Sequence, residues 1–98
     1  MSAFKQPCVY ILAIKRNGTL YVGTTNDLAE RRLEHRSGQV ADFKKEYGVH
    51  KLVYYEAHDA MPAAIAREKQ IKQWNDVWKF KLIEEKNPEW RDLWQEVT

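Results

Sequence analysis

The apolar positions change their spacing along the chain, and each change predicts an element. Cys8-Val9-Tyr10-Ile11-Leu12-Ala13-Ile14 is an unbroken apolar run, too short and too rich in β-branched residues to favour a helix, and it predicts a buried strand. Lys15-Arg16-Asn17-Gly18 follows. Asn-Gly between two strand-like runs is the strongest short-range hairpin signal, because both residues tolerate positive φ. Thr19 to Thr24 is therefore expected to return antiparallel. Tyr10 and Tyr21 then lie on neighbouring strands, with register deciding whether they share a face; a shared face is expected.

From Tyr21 to Gly38 the strand runs straight into a helix. Gly23 relaxes the backbone, Thr24 to Asp27 offer N-cap side chains, and Gly38 stops the helix after Ser37. Gln39 to Tyr47 predicts a short amphipathic turn or helix with Val40 and Phe43 inward, ending at Gly48. His50 to Ala57 reads as a third strand of the same sheet. Asp59, or the Ala60-Met61-Pro62 corner, opens a helix from about Pro62 to Trp74, with proline acceptable in its first turn. Trp78 to Lys86 predicts another helix, Asn87-Pro88 breaks it, and Glu89 to Trp94 forms a terminal turn. No repeat, linker or low-complexity tract interrupts this order.

At 98 residues the chain fits one domain over residues 1–98, with no room for a second core. Sixteen Lys and Arg against fourteen Asp and Glu leave a formal charge of +2, so this is not a polycation that coats nucleic acid indiscriminately, and any basic surface must be local. Cys8 is the only cysteine. That rules out a disulfide framework and a cysteine metal knuckle, and favours the cytoplasm. Neither a signal-like apolar segment nor a run of ~20 apolar residues is present, so secretion and membrane spanning lack support.

The candidate chemistry sits on the two long helices and the hairpin. At about 100° per residue, Arg31 and His35 are one turn apart beside Leu28, on the side that meets the sheet, while Glu30 and Glu34 point away. A cation and an imidazole at the edge of an apolar seam, beneath a tyrosine, form a constellation able to grip a phosphate. Separately, each is also explained as an ordinary helix charge or boundary imidazole. Glu68 falls between Ala64, Ile65 and Ile71 on the inward face of its helix, near Lys72 and Asn75. A carboxylate there needs a partner. Either it pairs with Lys72, its i+4 neighbour, or it holds one hard cation completed by water and substrate oxygens, magnesium or manganese. Tyr10 and Tyr21 read equally as core aromatics, since a phenol is a poor base unless a cation lowers its pKa. Trp74, Trp78, Trp90 and Trp94 recur near helical spacing and are most simply packing between the last helix and the sheet, with base stacking as the alternative. Lys44, Lys45, Lys79 and Lys81 suit either a solvated face or a phosphate backbone.

Taken together, these features resemble the GIY-YIG nuclease domain, and more narrowly the small single-domain members similar to the N-terminal nuclease domain of UvrC. The first triplet of the family stands here as Cys8-Val9-Tyr10, keeping only the tyrosine, and the second as Tyr21-Val22-Gly23. Arg31, His35 and the helical Glu68 follow at the family's spacing, and Lys69 to Trp74 and Asn87-Pro88-Glu89-Trp90 resemble the short stand-alone members. Thr24 stands where some members carry a lysine, and the late asparagine of several nucleases has no clear counterpart.

The resemblance implies an α/β (α+β) sandwich with a three-stranded antiparallel sheet flanked by helices. It also implies metal-dependent hydrolysis of phosphodiester bonds in DNA, with Glu68 on a Mg2+ or Mn2+ ion, Arg31 on the phosphoryl oxygens, Tyr10 or Tyr21 on the attacking water, and His35 assisting proton movement. Two other functions compete with it: a nucleic-acid-binding module of the same fold that cleaves weakly or not at all, and a protein-interaction domain using the tryptophan-rich C-terminal part.

Overall fold

The computed structural model describes residues 6–13, 18–31 and 51–97. Its centre is a three-stranded antiparallel sheet of β1 (Cys8–Ala13), β2 (Leu20–Thr25) and β3 (Lys51–Ala57), in the order β2-β1-β3. Around it lie α1, described over residues 28–31, then α2 (Met61–Gln73), α3 (Asp76–Lys86) and the short α4 (Trp94–Val97). Among the described residues no helix is long and apolar enough to cross a membrane. The hairpin tip at Asn17, the helix stop at Gly38, the element expected at 39–47 with its Gly48 stop, His35, Lys44, Lys45 and His50 lie outside the described residues.

β1 is apolar throughout because it is the middle strand, buried on both faces along its whole length. Its residues alternate between two cores. Val9, Ile11 and Ala13 meet Val22, Ala64 and Ile71 of α2, Ile83 of α3 and Trp90. Tyr10 and Leu12 meet Leu28 of α1, Leu52, Leu93 and Trp94. The β1–β3 register shifts between Ile11, opposite Tyr54, and Leu12, opposite Leu52. Val53 is thus the extra residue of a bulge, turned into the first core.

Both long helices begin at slightly different points from those the apolar spacing predicts. α2 starts at Met61 after an extended Ala60 that makes no side-chain cap, with Pro62 in the first turn, where a missing N–H loses nothing. Trp74 turns extended and ends it. Asn75 then caps α3, its Oδ1 accepting from the Trp78 N–H at 3.0 Å, so α3 opens two residues before Trp78. Ile65, expected inward, sits exposed at the rim.

β3 is an edge strand, and the C-terminal segment closes that edge. The Leu93 N–H donates to the Leu52 carbonyl at 2.8 Å, and the Leu52 N–H to Asp92 Oδ1 at 3.3 Å. Asn87, nearly fully buried, sends its Nδ2 to the carbonyls of Val53 (3.0 Å) and Arg91 (2.9 Å) and accepts the Arg91 N–H on Oδ1 (2.9 Å). Asn87-Pro88 ends α3 as expected, but this asparagine also ties the following turn to the sheet. Trp90 adopts φ 55°, a conformation unusual for a bulky residue. Its position is held by burial, by an edge-on contact with Phe80 (5.5 Å) and by Nε1 donating to Glu84 Oε2 at 2.7 Å.

Candidate active site

The β1–β2 register places Tyr10 opposite Gly23 and Leu12 opposite Tyr21. Directly opposed residues share a face, so Tyr10, Tyr21 and Gly23 lie on one side of the sheet, as expected. The two rings sit 6.1 Å apart at a 38° tilt. Glycine is required at position 23 by this close approach: a Cβ there would meet the Tyr10 hydroxyl oxygen at 2.7 Å, its Cζ at 2.8 Å and Tyr21 Cε1 at 3.0 Å. The Tyr10 phenol therefore lies across β2 in the space that a side chain would take. Tyr10 is fully buried, whereas Tyr21 is only half-buried.

The strand-to-helix junction carries Arg31 to the same side. Thr25 Oγ1 accepts from the Asp27 N–H and donates to the Asp27 carbonyl, both at 3.1 Å, which folds the chain back at the end of β2. Asp27 is the cap: its Oδ1 accepts the Glu30 N–H at 3.2 Å, and its carbonyl accepts the Arg31 N–H at 3.0 Å, the first helical bond. Leu28 enters the core that holds Tyr10 and Leu12. Arg31, three residues on along that stripe, is half-buried, with Nε shielded from solvent.

Glu68 is carried differently. Its neighbours on the α2 stripe, Ala64 and Ile71, pack into the opposite core, and α2 lies over β2 and β1. The Glu68 side chain is 17% exposed, and its Oε2 pairs with Lys72 Nζ at 3.4 Å, the lysine itself being 54% exposed. The structure thus gathers Tyr10, Tyr21, Gly23 and Arg31 on one side of the sheet and places Glu68 on the helix covering the other, with the edge strand β2 between them. His35 lies outside the described residues. So do Lys44 and Lys45.

A second polar group centres on Glu56, which the sequence marks only as part of a strand. Tyr54 donates its hydroxyl to Glu56 Oε2, Arg67 donates Nε to Oε1 at 2.8 Å, and His58 Nε2 lies 2.9 Å from Oε1. Burial works to raise the Glu56 pKa, but the bonds from Tyr54, His58 and Arg67 outweigh it and hold the carboxyl below the usual glutamate range. Burial and the Glu56 acceptor push the Tyr54 phenol well above its ordinary value. The strand alternation of Tyr54, Glu56 and His58 was the available signal. Cys8 is a free, buried thiol whose pKa burial raises, an environment that makes it inert.

The tryptophans divide. Trp90 and Trp94 are buried as expected and Trp74 is half-buried against the first core, but Trp78 is 58% exposed, so the packing expectation fails for it. Because α3 begins at Asp76, Trp78 falls in its first turn and faces solvent.

The chain is similar to known proteins over most of its length. The family model described as the GIY-YIG catalytic domain matches residues 6–81. A UPF0213 protein of Staphylococcus saprophyticus is 38% identical over 77 residues, covering 78% of this chain and 94% of the relative. Another, from Syntrophus aciditrophicus, is 39% identical over 82 residues, covering 83% and 92%. The solution NMR structure of a UPF0213 protein from Bacillus halodurans superposes with a TM-score of 0.56 at 28% identity, covering 89% of this chain and 92% of that one. The chain belongs to the GIY-YIG family, among its small UPF0213 members.

Proposed function

We propose that this protein is a divalent-metal-dependent endonuclease that hydrolyses phosphodiester bonds in DNA, acting in the cytoplasm as one domain on structured substrates of the kind met in repair. The observation that carries the reading is the Tyr10–Gly23–Tyr21 cluster with Arg31 on the same side of the sheet. The half-buried Tyr21 phenol and Arg31 cation, set over the buried Tyr10–Gly23 pair, form a surface suited to a phosphodiester and a water.

Glu68 suits a metal ligand. A half-buried carboxylate whose counter-ion is a largely exposed lysine 3.4 Å away can exchange that lysine for a stronger cation. Among the described residues there is no group of three metal-ligating side chains; Glu68 would hold the ion with water and substrate completing it, as magnesium and manganese accept. Such an ion supplies Lewis-acid polarisation of the phosphate and stabilisation of the leaving oxygen.

The remaining roles fall to the chain's own side chains. Arg31 meets the charge that builds on the phosphoryl oxygens, as a preorganised donor. Tyr21, half-buried where Tyr10 is wholly buried, is the better placed of the two to hold or deprotonate the attacking water, and Tyr10 fixes its position through the ring contact. His35 relays the proton. For Glu68 to serve the same phosphodiester, the substrate must reach around the edge of β2, the strand that carries Tyr21 on one face and supports α2 on the other.

The Lys72–Glu68 pair favours a second reading, a nucleic-acid-binding module that does not cut. Cleavage of duplex, single-stranded, flap and junction DNA with and without magnesium separates the two. Metal-dependent nicking supports the nuclease. Salt-sensitive binding without nicking supports the binding module.

A further inference from the structure

The turn between α2 and α3 carries an aromatic ledge that the candidate active site does not use. Trp78, 58% exposed, stands 6.0 Å from Trp74 at 53°, and Val77 beside it is equally exposed. Arg67 lies over the Trp74 ring, 5.2 Å from its centroid. It is fixed there by Nε donating to Glu56 and by Nη1 donating to Gln70 Oε1 at 2.6 Å. Lys81 falls one turn beyond Trp78 on α3 and is exposed. From Ile65 to Lys81 five cations, Arg67, Lys69, Lys72, Lys79 and Lys81, face two acids, Glu68 and Asp76, a local +3 in a chain whose total is +2.

We propose that this ledge binds the unpaired bases of a single-stranded nucleic acid, with a base stacking on Trp78 and the neighbouring lysines taking the phosphates. The two halves of the surface match the two halves of that ligand. An exposed indole offers a face to any base, and cations along the same helix track the backbone without reading sequence. A duplex does not fit as well, because its bases are already stacked on one another. An acidic protein surface would satisfy the lysines but leave Trp78 and Val77 in water. The proposal rests on the reading of nucleic acid as substrate and narrows it to DNA with a single-stranded tail beside the cut.

The test is a titration of intrinsic tryptophan fluorescence with oligodeoxythymidylate in chelator, so that cutting does not intervene. Trp90 and Trp94 are buried, which leaves Trp78 and its neighbour Trp74 to report. Quenching is expected in the wild type. Trp78→Ala should weaken binding about tenfold, in the range that loss of one stacked base gives, and Trp78→Phe should restore most of it. The cap at Asn75 uses the Trp78 backbone N–H, so both variants keep it. In the presence of magnesium, the preference of the wild type for a flap over plain duplex should flatten in Trp78→Ala while duplex cleavage is unchanged.

Equal oligonucleotide affinity for wild type and Trp78→Ala would overturn the proposal. If that result came with a wild-type dimer that Trp78→Ala makes monomeric, the ledge would be a contact between copies of the chain. A wild type that cuts duplex but binds oligonucleotide independently of Trp78 removes this inference alone. A wild type that neither cuts nor binds any nucleic acid removes the nuclease reading with it.

Discussion

Gly23 faces Tyr10 across the β1–β2 pair so closely that a methyl group on Gly23 would fall 2.7 Å from the Tyr10 hydroxyl oxygen. The Tyr10 ring is fully buried among Leu12, Leu28, Leu52, Leu93 and Trp94. Gly23→Ala should therefore force the ring and its neighbours apart, destabilising the fold by about 1–3 kcal/mol, as overpacking does. It should lower cleavage beyond the loss of folded protein. Urea unfolding and single-turnover cleavage on the folded fraction check the two effects, and a variant with wild-type stability and rate would contradict the packing described.

Asn87 is the opposite case, a buried amide whose three hydrogen bonds tie the C-terminal turn to the sheet. Asn87→Ala leaves the buried carbonyls of Val53 and Arg91 and the Arg91 N–H without their partner. The expected loss is about 2–4 kcal/mol, read from a shifted urea midpoint. The cleavage rate per folded molecule should not change, since Asn87 is buried away from any substrate.

Glu56 gives stability a dependence on acidity. Its folded pKa lies below the unfolded one, so its contribution is fully present above the ordinary glutamate value of about 4.3 and disappears as pH falls through the lower folded value. Tyr54, His58 and Arg67 are the groups that face it. In urea titrations carried below about pH 4.3, the wild type should lose stability more steeply than Glu56→Gln. Parallel curves would remove Glu56 from the acid transition.

Arg31 should matter more to the rate than to binding. Its proposed role is to meet charge that appears only in the transition state, so Arg31→Ala is expected to cut the single-turnover rate by about 10²–10³-fold and affinity by only a few-fold. With a net charge of +2, affinity for plain duplex should be about 10⁻⁴ to 10⁻⁶ M at physiological salt. The slope of log affinity against log salt should be no steeper than about −5, from Arg31, Lys44, Lys45 and one or two further contacts at about 0.9 each. Equal losses in rate and binding would make Arg31 a plain phosphate anchor.

The sheet was readable because its signals are local. Asn17-Gly18 specified a hairpin, an unbroken apolar run specified a strand covered on both faces, and the parity of Tyr10 and Tyr21 followed once the two strands paired. Helix ends were less legible. Asn75 caps α3 from a position that apolar spacing does not mark, and that two-residue difference turns Trp78 outward. Asn87 read as a breaker because sequence shows a residue's propensity and not its long-range partners, here Val53, 34 positions away. Of the candidate site, the tyrosine pair and the Arg31 stripe were legible for the same local reasons. The relation of Glu68 to them depends on how α2 crosses the sheet, which no spacing encodes. The Glu56 group joins β3 to α2 and is of the same kind.

The central claim is that Glu68 serves a metal in a DNA-cutting site, and not merely an ion pair with Lys72. The most direct measurement is cleavage of the flap and junction substrates in magnesium by wild type and Glu68→Gln, with folding of both checked by circular dichroism and metal binding by calorimetry. The prediction is metal-dependent cutting by the wild type, and a Glu68→Gln protein that is folded, with metal affinity lost and cutting abolished. A folded wild type that cuts none of the substrates, or a Glu68→Gln protein that cuts them at the wild-type rate, would contradict it.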